Sequence, residues 1–256
     1  MEADFSRYRL LDVEVNALTI RDLNALIKAA IEKEEQRIIA NHNLHSVYLY
    51  HRTPKMQALY SRSDYVHIDG MSLIYLGQLL GLPLKRRHRV TYVDWIHPLL
   101  QTISKKQRSL FYLGARPQVV TTGTKRIREE YPNLELEYHH GYFDRTPGSS
   151  GNQSVIADIN AFDPDVLMVG MGMPRQEKWI IDNIHQIEAH VVLPSGACID
   201  YIAGATPVPP RWMGKLGLEW FYRLLQEPRR LWRRNFVEPW PILERFIKEL
   251  VQRRVL

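Results

Sequence analysis

The sequence predicts an α/β fold built on a mostly parallel sheet with helices on both faces. Two observations carry the prediction. Short apolar, β-prone runs alternate with amphipathic stretches of helical length, at a spacing that suits strand–helix–strand crossovers. One run, Val166-Leu167-Met168-Val169, is apolar at successive positions, as a strand buried on both faces should be.

In chain order, strands are expected at 37–40, 65–68, 110–113, 134–138, 166–169 and 191–193. Helices are expected near 21–34, 44–61, 71–80, 92–105, 117–131, 152–161 and 175–187. There are no internal repeats. Residues 145–152 form a polar loop, and Pro207-Val208-Pro209-Pro210 marks a change of character. The division that follows is a catalytic core over 1–208 and a helical, basic, Trp-rich appendage over 209–256.

Composition narrows the setting. With 256 residues and 45% hydrophobic content, the chain can bury a substantial core. Cys198 is the single cysteine, so no internal disulfide is available and the cytoplasm is the expected compartment. The first residues lack the basic start and apolar stretch of a secretory signal. No window reaches the roughly 18 apolar residues of a spanning helix. The net charge is +6, and its location matters more than its size. Residues 211–256 hold 11 Lys/Arg against 5 Asp/Glu, while the rest of the chain holds 23 of each. Four of the six tryptophans lie in the same segment: Trp212, Trp220, Trp232 and Trp240.

In open parallel sheets, ligands bind beyond the carboxyl ends of the strands. Here those ends read Asn41-His42-Asn43, Asp69-Gly70, Gly114-Ala115-Arg116, Gly141-Tyr142, Gly170-Met171-Gly172-Met173-Pro174-Arg175-Gln176-Glu177 and Pro194-Ser195-Gly196. Glycines let backbone approach a ligand, and the polar residues offer hydrogen bonds. The segment from Gly170 to Glu177 leads into a helix start, where free N–H groups bind phosphate, or it is simply a tight strand–helix turn. It is neither the dinucleotide fingerprint nor a P-loop. Asp69, at a strand end and followed by glycine, is the candidate general base; its other role would be to cap the next helix.

Three further groups have plainer readings. Lys85-Arg86-Arg87-His88-Arg89 is mostly a solvated basic face, with one member able to reach a diphosphate. Asp163-Pro164-Asp165 looks like a metal-binding Asp-x-Asp, but it precedes its strand and so belongs to the wrong edge of the sheet. The histidines show no zinc-like spacing; His42 and His45 read as helix-start residues, and Cys198 as a small buried side chain. No metal or other cofactor is expected.

In the tail, Glu219-Trp220-Phe221-Tyr222-Arg223-Leu224-Leu225 is amphipathic. It is followed by Pro228-Arg229-Arg230-Leu231-Trp232-Arg233-Arg234 and a helix near 241–253. Tryptophan mixed with arginine suits an anionic membrane interface. Packing of a helical pair against the core is the second reading and is compatible with the first. Nucleic acid is not expected, because no binding motif accompanies the charge.

Taken together the motifs resemble the WecG/TagA/CpsF glycosyltransferases, glycosyltransferase family 26, over almost the whole chain. The matching stretches begin with Asn41-x-Asn43, His67-Ile68-Asp69-Gly70-Met71, Arg89-Val90-Thr91, Tyr112-Leu113-Gly114 and His140-Gly141-Tyr142-Phe143. They continue with Asp163-Pro164-Asp165-Val166-Leu167, Gly170-x-Gly172-x-Pro174-Arg175-Gln176-Glu177-x-Trp179 and Asp200-x-x-x-Gly204. They end with Pro209-x-x-Trp212, Gly217-Leu218-Glu219-Trp220-x-Tyr222-Arg223 and Glu227-Pro228-Arg229-Arg230. The resemblance implies a Rossmann-like fold of the GT-E type. It implies inverting transfer of an N-acetylmannosamine-type sugar from a UDP-sugar to a polyprenyl-diphosphate-linked acceptor, without a metal, in cell-surface polysaccharide synthesis. A non-catalytic nucleotide-sugar or lipid-carrier binding protein is the alternative.

By the same resemblance Asp69 is the catalytic residue and Asn43, Arg89 and Gln176 line the cleft; with the strand ends, the expected substrate-binding set adds Asn41, Gly70, Gly114, Gly172 and Glu177. Membrane contact and site closure fall to Arg211, Trp212, Trp220, Arg223, Arg229, Arg230, Arg233 and Arg234. The protein would sit peripherally on the inner face of the cell membrane, and a homo-oligomer is compatible with the sequence. The chain departs from the family pattern at Asn41, Tyr92 and Cys198, where members often carry Thr, Gly and an aromatic residue.

Overall fold

The structure, a computed structural model, describes residues 5–210, 212–213 and 217–255. A hairpin comes first, β1 (Arg7–Leu10) and β2 (Val13–Asn16). The alternation then runs α1 (Ile20–Glu32), β3 (Arg37–His42), α2 (Leu44–Tyr50), α3 (Pro54–Arg62), β4 (Tyr65–Ile68), α4 (Met71–Leu79) and α5 (Tyr92–Lys105). It continues with β5 (Ser109–Gly114), α6 (Pro117–Glu130), β6 (Glu135–His139), α7 (Ser150–Phe162), β7 (Val166–Gly170), α8 (Arg175–Asn183), β8 (Val191–Pro194) and α9 (Cys198–Ile202). Three helices end the chain: α10 (Glu219–Gln226), α11 (Pro228–Phe236) and α12 (Pro239–Val255).

The six central strands form one all-parallel sheet in the order β4-β3-β8-β7-β5-β6, so the fold is the α/β, Rossmann-like one expected. Every residue of β5, β7 and β8 is buried, which is why their sequences are apolar without alternation. The period-2 geometry still sorts the side chains. Leu110, Tyr112, Val166 and Met168 join Trp95, Leu99 and Ile103 of α5 on one face. Phe111, Leu113, Leu167 and Val169 join Ile159 of α7 and Trp179 of α8 on the other.

Three departures from expectation have local causes. The stretch 44–61 is two helices, because Pro54 starts α3 and the residue before a proline is driven out of helical geometry. The stretch 175–187 is helical only to Asn183 and finishes as a 3-10 turn over Ile184–Gln186. The hairpin was not expected at all. Its turn residues, Leu11 and Asp12, have φ of 56° and 60°, a conformation usually supplied by Asn-Gly. Distant partners hold it instead: the Leu11 N–H donates to Glu249 Oε2 at 2.7 Å, and the His51 ring bonds the Leu11 carbonyl at 2.9 Å.

Glu249 belongs to α12, so the end of the chain braces its beginning. Ile242 and Phe246 of α12 are buried in a cluster with Leu10, Val15, Ile68 and Ile74. Among the described residues no helix is long and apolar enough to cross a membrane. Phe246→Ala is expected to lower unfolding stability by about 3 kcal/mol, since a large buried ring is removed from a closed cluster. Urea denaturation of the full chain measures this; a loss within error of zero would mean that α12 adds nothing to the core.

Candidate active site

The carboxyl end of β4 is tied on both sides. The Asp69 N–H donates to the His42 carbonyl at 2.8 Å, and the Val90 N–H to the Ile68 carbonyl at 2.7 Å. The second bond sets Arg89 in a parallel bridge beside Ile68, next to Asp69. Of the basic run, Lys85, Arg86 and Arg87 are exposed and Arg89 is turned inward. Gly70, not Asp69, caps α4, and it makes no side-chain cap bond. The carboxylate is therefore not used up by a helix terminus. It accepts a hydrogen bond from Asn43, whose Nδ2 donates to Asp69 Oδ2 at 3.2 Å.

Asn43 can make that bond because the rest of it is fixed. It caps α2: its Oδ1 accepts from the Ser46 N–H at 3.1 Å, and its own N–H donates to Ser46 Oγ at 2.8 Å. Burial pushes the Asp69 carboxyl up to about 6; the Asn43 bond and the Arg223 and Arg89 charges oppose the rise, and Glu219 adds to it. Arg223 and Glu219 both come from α10, so the tail closes over Asp69.

Arg89 and the tail are joined directly. Arg89 Nη2 lies 2.7 and 2.6 Å from the two carboxylate oxygens of Glu219, and Nη1 lies 3.5 Å from Asp94. The expectation that Arg89 binds diphosphate meets a guanidinium already paired with two carboxylates. Arg223, one turn beyond Glu219, donates to the Tyr201 hydroxyl and stacks over its ring at 5.3 Å. Arg234 is pushed down to about 10, first by burial and then by Arg223, while Asp69 and Glu238 attract it. No ion pair between described residues engages Arg223 or Arg234. Arg230 pairs with Glu227 at 2.6 Å, whereas Arg229, Arg233, Trp212 and Trp220 are exposed. Arg211 lies outside the described residues.

The ends of β7 and β8 form the floor, and several residues expected to contact substrate hydrogen-bond within it. Gln176 Oε1 accepts from the N–H groups of Gly172 and Gly196 at 3.0 and 3.1 Å, and its Nε2 donates to Glu177 Oε1 at 2.8 Å. Both residues are fully buried, and the Gln176 bonds tie the two strand ends together. Asn41 is buried too, and its amide donates to the Pro194 carbonyl at 3.0 Å, tying β3 to β8. Gly114 is a packing glycine: a Cβ there would sit 2.3 Å from the Gly170 carbonyl oxygen. Gly172 has φ of 76° and makes the turn after β7. Of the nine core residues expected at the site, Asp69, Asn43, Gly70 and Arg89 gather at the β4 edge.

The other readings are easily located. Asp165 lies at the amino edge of the sheet, accepting from the Ser109 N–H at 2.8 Å. His42 ends β3 stacked on Tyr60 at 3.8 Å, and His45, in the first turn of α2, meets Glu238 at 2.6 Å. Tyr92 and Cys198, two of the departures from the family pattern, share one buried cluster with Tyr112. Among the described residues no group of three or more His, Cys, Asp or Glu side chains is arranged to hold a metal ion. Sequence reasoning gave no role to Glu219 or Tyr201, whose partners are 130 and 22 residues away.

The sequence model of the glycosyl transferase WecG/TagA/CpsF family matches residues 8–255, from the hairpin to the end of α12. The chain belongs to this family. It is therefore a glycosyltransferase. Among curated relatives, the N-acetylglucosaminyldiphosphoundecaprenol N-acetyl-beta-D-mannosaminyltransferase of Staphylococcus aureus strain MW2 is 28% identical over 230 residues, covering 90% of this chain and 85% of the relative. Proteins of the same name from strains NCTC 8325 and MRSA252 match equally, at 28% over the same length. The family match includes the tail, so α10 to α12 are part of the family unit.

Glu177 yields a prediction about stability. Burial pushes its carboxyl up to about 7, and Oε2 has no partner among the described residues. The folded state then holds a proton that the unfolded chain releases near its ordinary value of 4.5. This contribution is full below that value and is lost as pH rises through about 7. Glu177→Gln keeps the acceptor for Gln176 and removes the charge, so stability should decline less between pH 5 and pH 8 than in the wild type. Melting temperature against pH measures it; parallel curves would refute the assignment.

Proposed function

We propose that this protein transfers an N-acetylmannosamine-type sugar, with inversion, from a UDP-sugar to a polyprenyl-diphosphate-linked acceptor in cell-surface polysaccharide synthesis. One observation carries the reading: a carboxylate with its acidity weakened by burial stands at a strand end, beside two arginines that have no carboxylate partner among the described residues. Asp69 accepts the proton of the acceptor hydroxyl as that oxygen attacks the anomeric carbon. The bond from that carbon to the diphosphate breaks on the opposite side, and the growing negative charge is met by Arg223 and Arg234. Guanidinium groups suit this work, being permanently charged and matched to phosphate oxygens. The reaction is proposed to need no metal. The names of the relatives support both the sugar and the lipid-linked acceptor.

The tail supports a peripheral position on the inner face of the cell membrane. Helix α10 turns Glu219 and Arg223 toward the core and leaves Trp220, Phe221 and Leu225 exposed. An ordinary surface helix is the other way round. Trp232, Phe236 and Trp240 extend the exposed aromatic surface over the next two helices, with Arg229 and Arg233 among them. Aromatic rings at headgroup depth and arginines on lipid phosphate would bring the site to its acceptor.

Asp69→Asn should lower turnover by about 10²–10⁴-fold while keeping UDP binding. In the wild type, kcat/KM should fall as pH drops through about 6, because the protonated acid cannot accept a proton. A pH-rate series on both forms is decisive: the acidic limb must vanish in the variant, and an unchanged turnover would remove Asp69 from the chemistry. Separately, the pair Trp232→Ala and Trp240→Ala should weaken sedimentation with phosphatidylglycerol vesicles and spare transfer to a short-chain, water-soluble acceptor. Equal vesicle binding would remove the membrane role of this surface.

A further inference from the structure

Arg223 can act on Asp69 only if α10 is held in place, and α10 has little apolar packing to hold it, Tyr222 and Leu224 being only half-buried. None of its residues is buried. Its aromatic side faces outward. Among the described residues its side-chain hydrogen bonds to the core come from two residues spaced one turn apart on the same face: Glu219 accepts from Arg89, and Arg223 donates to Tyr201. The first is the stronger tie. Arg89 is nearly buried and is fixed along β4 by the Ile68 bridge, so it offers a rigid anchor. Glu219 meets one of its nitrogens with both carboxylate oxygens at 2.6 and 2.7 Å. A charge-assisted contact to an anchored, poorly hydrated guanidinium is worth more than an exposed ion pair.

We infer that Glu219 is a positioning residue: its ion pair with Arg89 latches α10 onto the core and thereby sets Arg223 beside Asp69. This inference rests on the transferase reading for its effect on turnover, but not for the latch itself. Arg89 on this view is the receiver of the latch, and its positive charge is already balanced by Glu219 and Asp94. Arg223 and Arg234 are the cations at the site that no carboxylate of the described residues pairs. Breaking the latch leaves Asp69, the sheet and α12 as they were, and lets α10 swing away from the site. The loss falls on the chemical step, because a displaced Arg223 no longer meets the charge that develops on the leaving diphosphate.

The test uses the full chain and two variants, Glu219→Gln and Arg89→Gln, singly and together. Without any substrate, hydrogen exchange across residues 219–226 should quicken about tenfold in either single variant and no further in the double variant, with melting temperature little changed. Glu219→Gln should also lower kcat by roughly 10- to 100-fold and leave the KM for acceptor nearly unchanged. Unaltered exchange in Glu219→Gln, or additive effects in the double variant, would overturn the latch. Asp69→Asn serves as the control that separates the two readings, because it should lose turnover with α10 fully protected. If the wild type transferred no sugar from any UDP donor, the transferase reading would fail while the exchange data still decided the latch.

Discussion

The structure depends on an uncomfortable carboxylate. Asp69 is crowded by protein at the end of β4, and burial raises its affinity for a proton. What keeps the rise moderate is one amide from Asn43 and the charges of Arg223 and Arg89. Each opposing influence comes from a different part of the chain: β3 and α2 supply Asn43, the segment before α5 supplies Arg89, and α10 supplies Arg223. An acid left with less help would be protonated and useless as a base; one fully paired would be too weak a base. The geometry around Asp69 is thus a balance between desolvation and a few precisely aimed partners.

The floor under this site is made by backbone held in close contact. A Cβ on Gly170 would lie 1.9 Å from the Tyr112 hydroxyl and 2.7 Å from the Gly196 carbonyl. Gln176 then stitches Gly172 to Gly196 through a single oxygen. Buried side-chain amides of this kind hold their orientation only if every polar atom is satisfied, and Glu177 supplies the acceptor that the Gln176 nitrogen needs. The polar residues at these strand ends therefore build the shape of the cleft from behind.

That distinction was not legible in the sequence. Strands and most helices were, because burial on both faces and crossover spacing leave local marks. Residues 65–68 and 92–105 coincide with β4 and α5. The strand ends also located Asp69 and Asn43 correctly at one edge of the sheet. Whether a polar side chain points into the cleft or between strands is decided by neighbours in space, so the sequence, which marks Asn41, Gln176 and Glu177 as ligand contacts, does not show the bonds they make between strand ends. The hairpin escaped for the same reason: Leu11-Asp12 has no turn signature, and Glu249 and His51 stabilise it from far along the chain.

The uneven charge of the chain can now be divided by direction. The core is neutral and carries the acids of the site, Asp69 and Asp94, while the surplus positive charge lies in the last three helices and the residues before them. A surplus serving only an outer surface would leave all its arginines facing outward. Arg229 and Arg233 do, but Arg223 and Arg234 turn inward to Asp69, and Glu219 turns inward to Arg89. The two parts complete each other. Without α10, Asp69 loses Arg223 and Arg89 loses Glu219; a tail without the core has cations and nothing to orient them. Because the same helix carries Trp220 and Phe221 on its outer side, any contact that orders its outer face also orders its inner one.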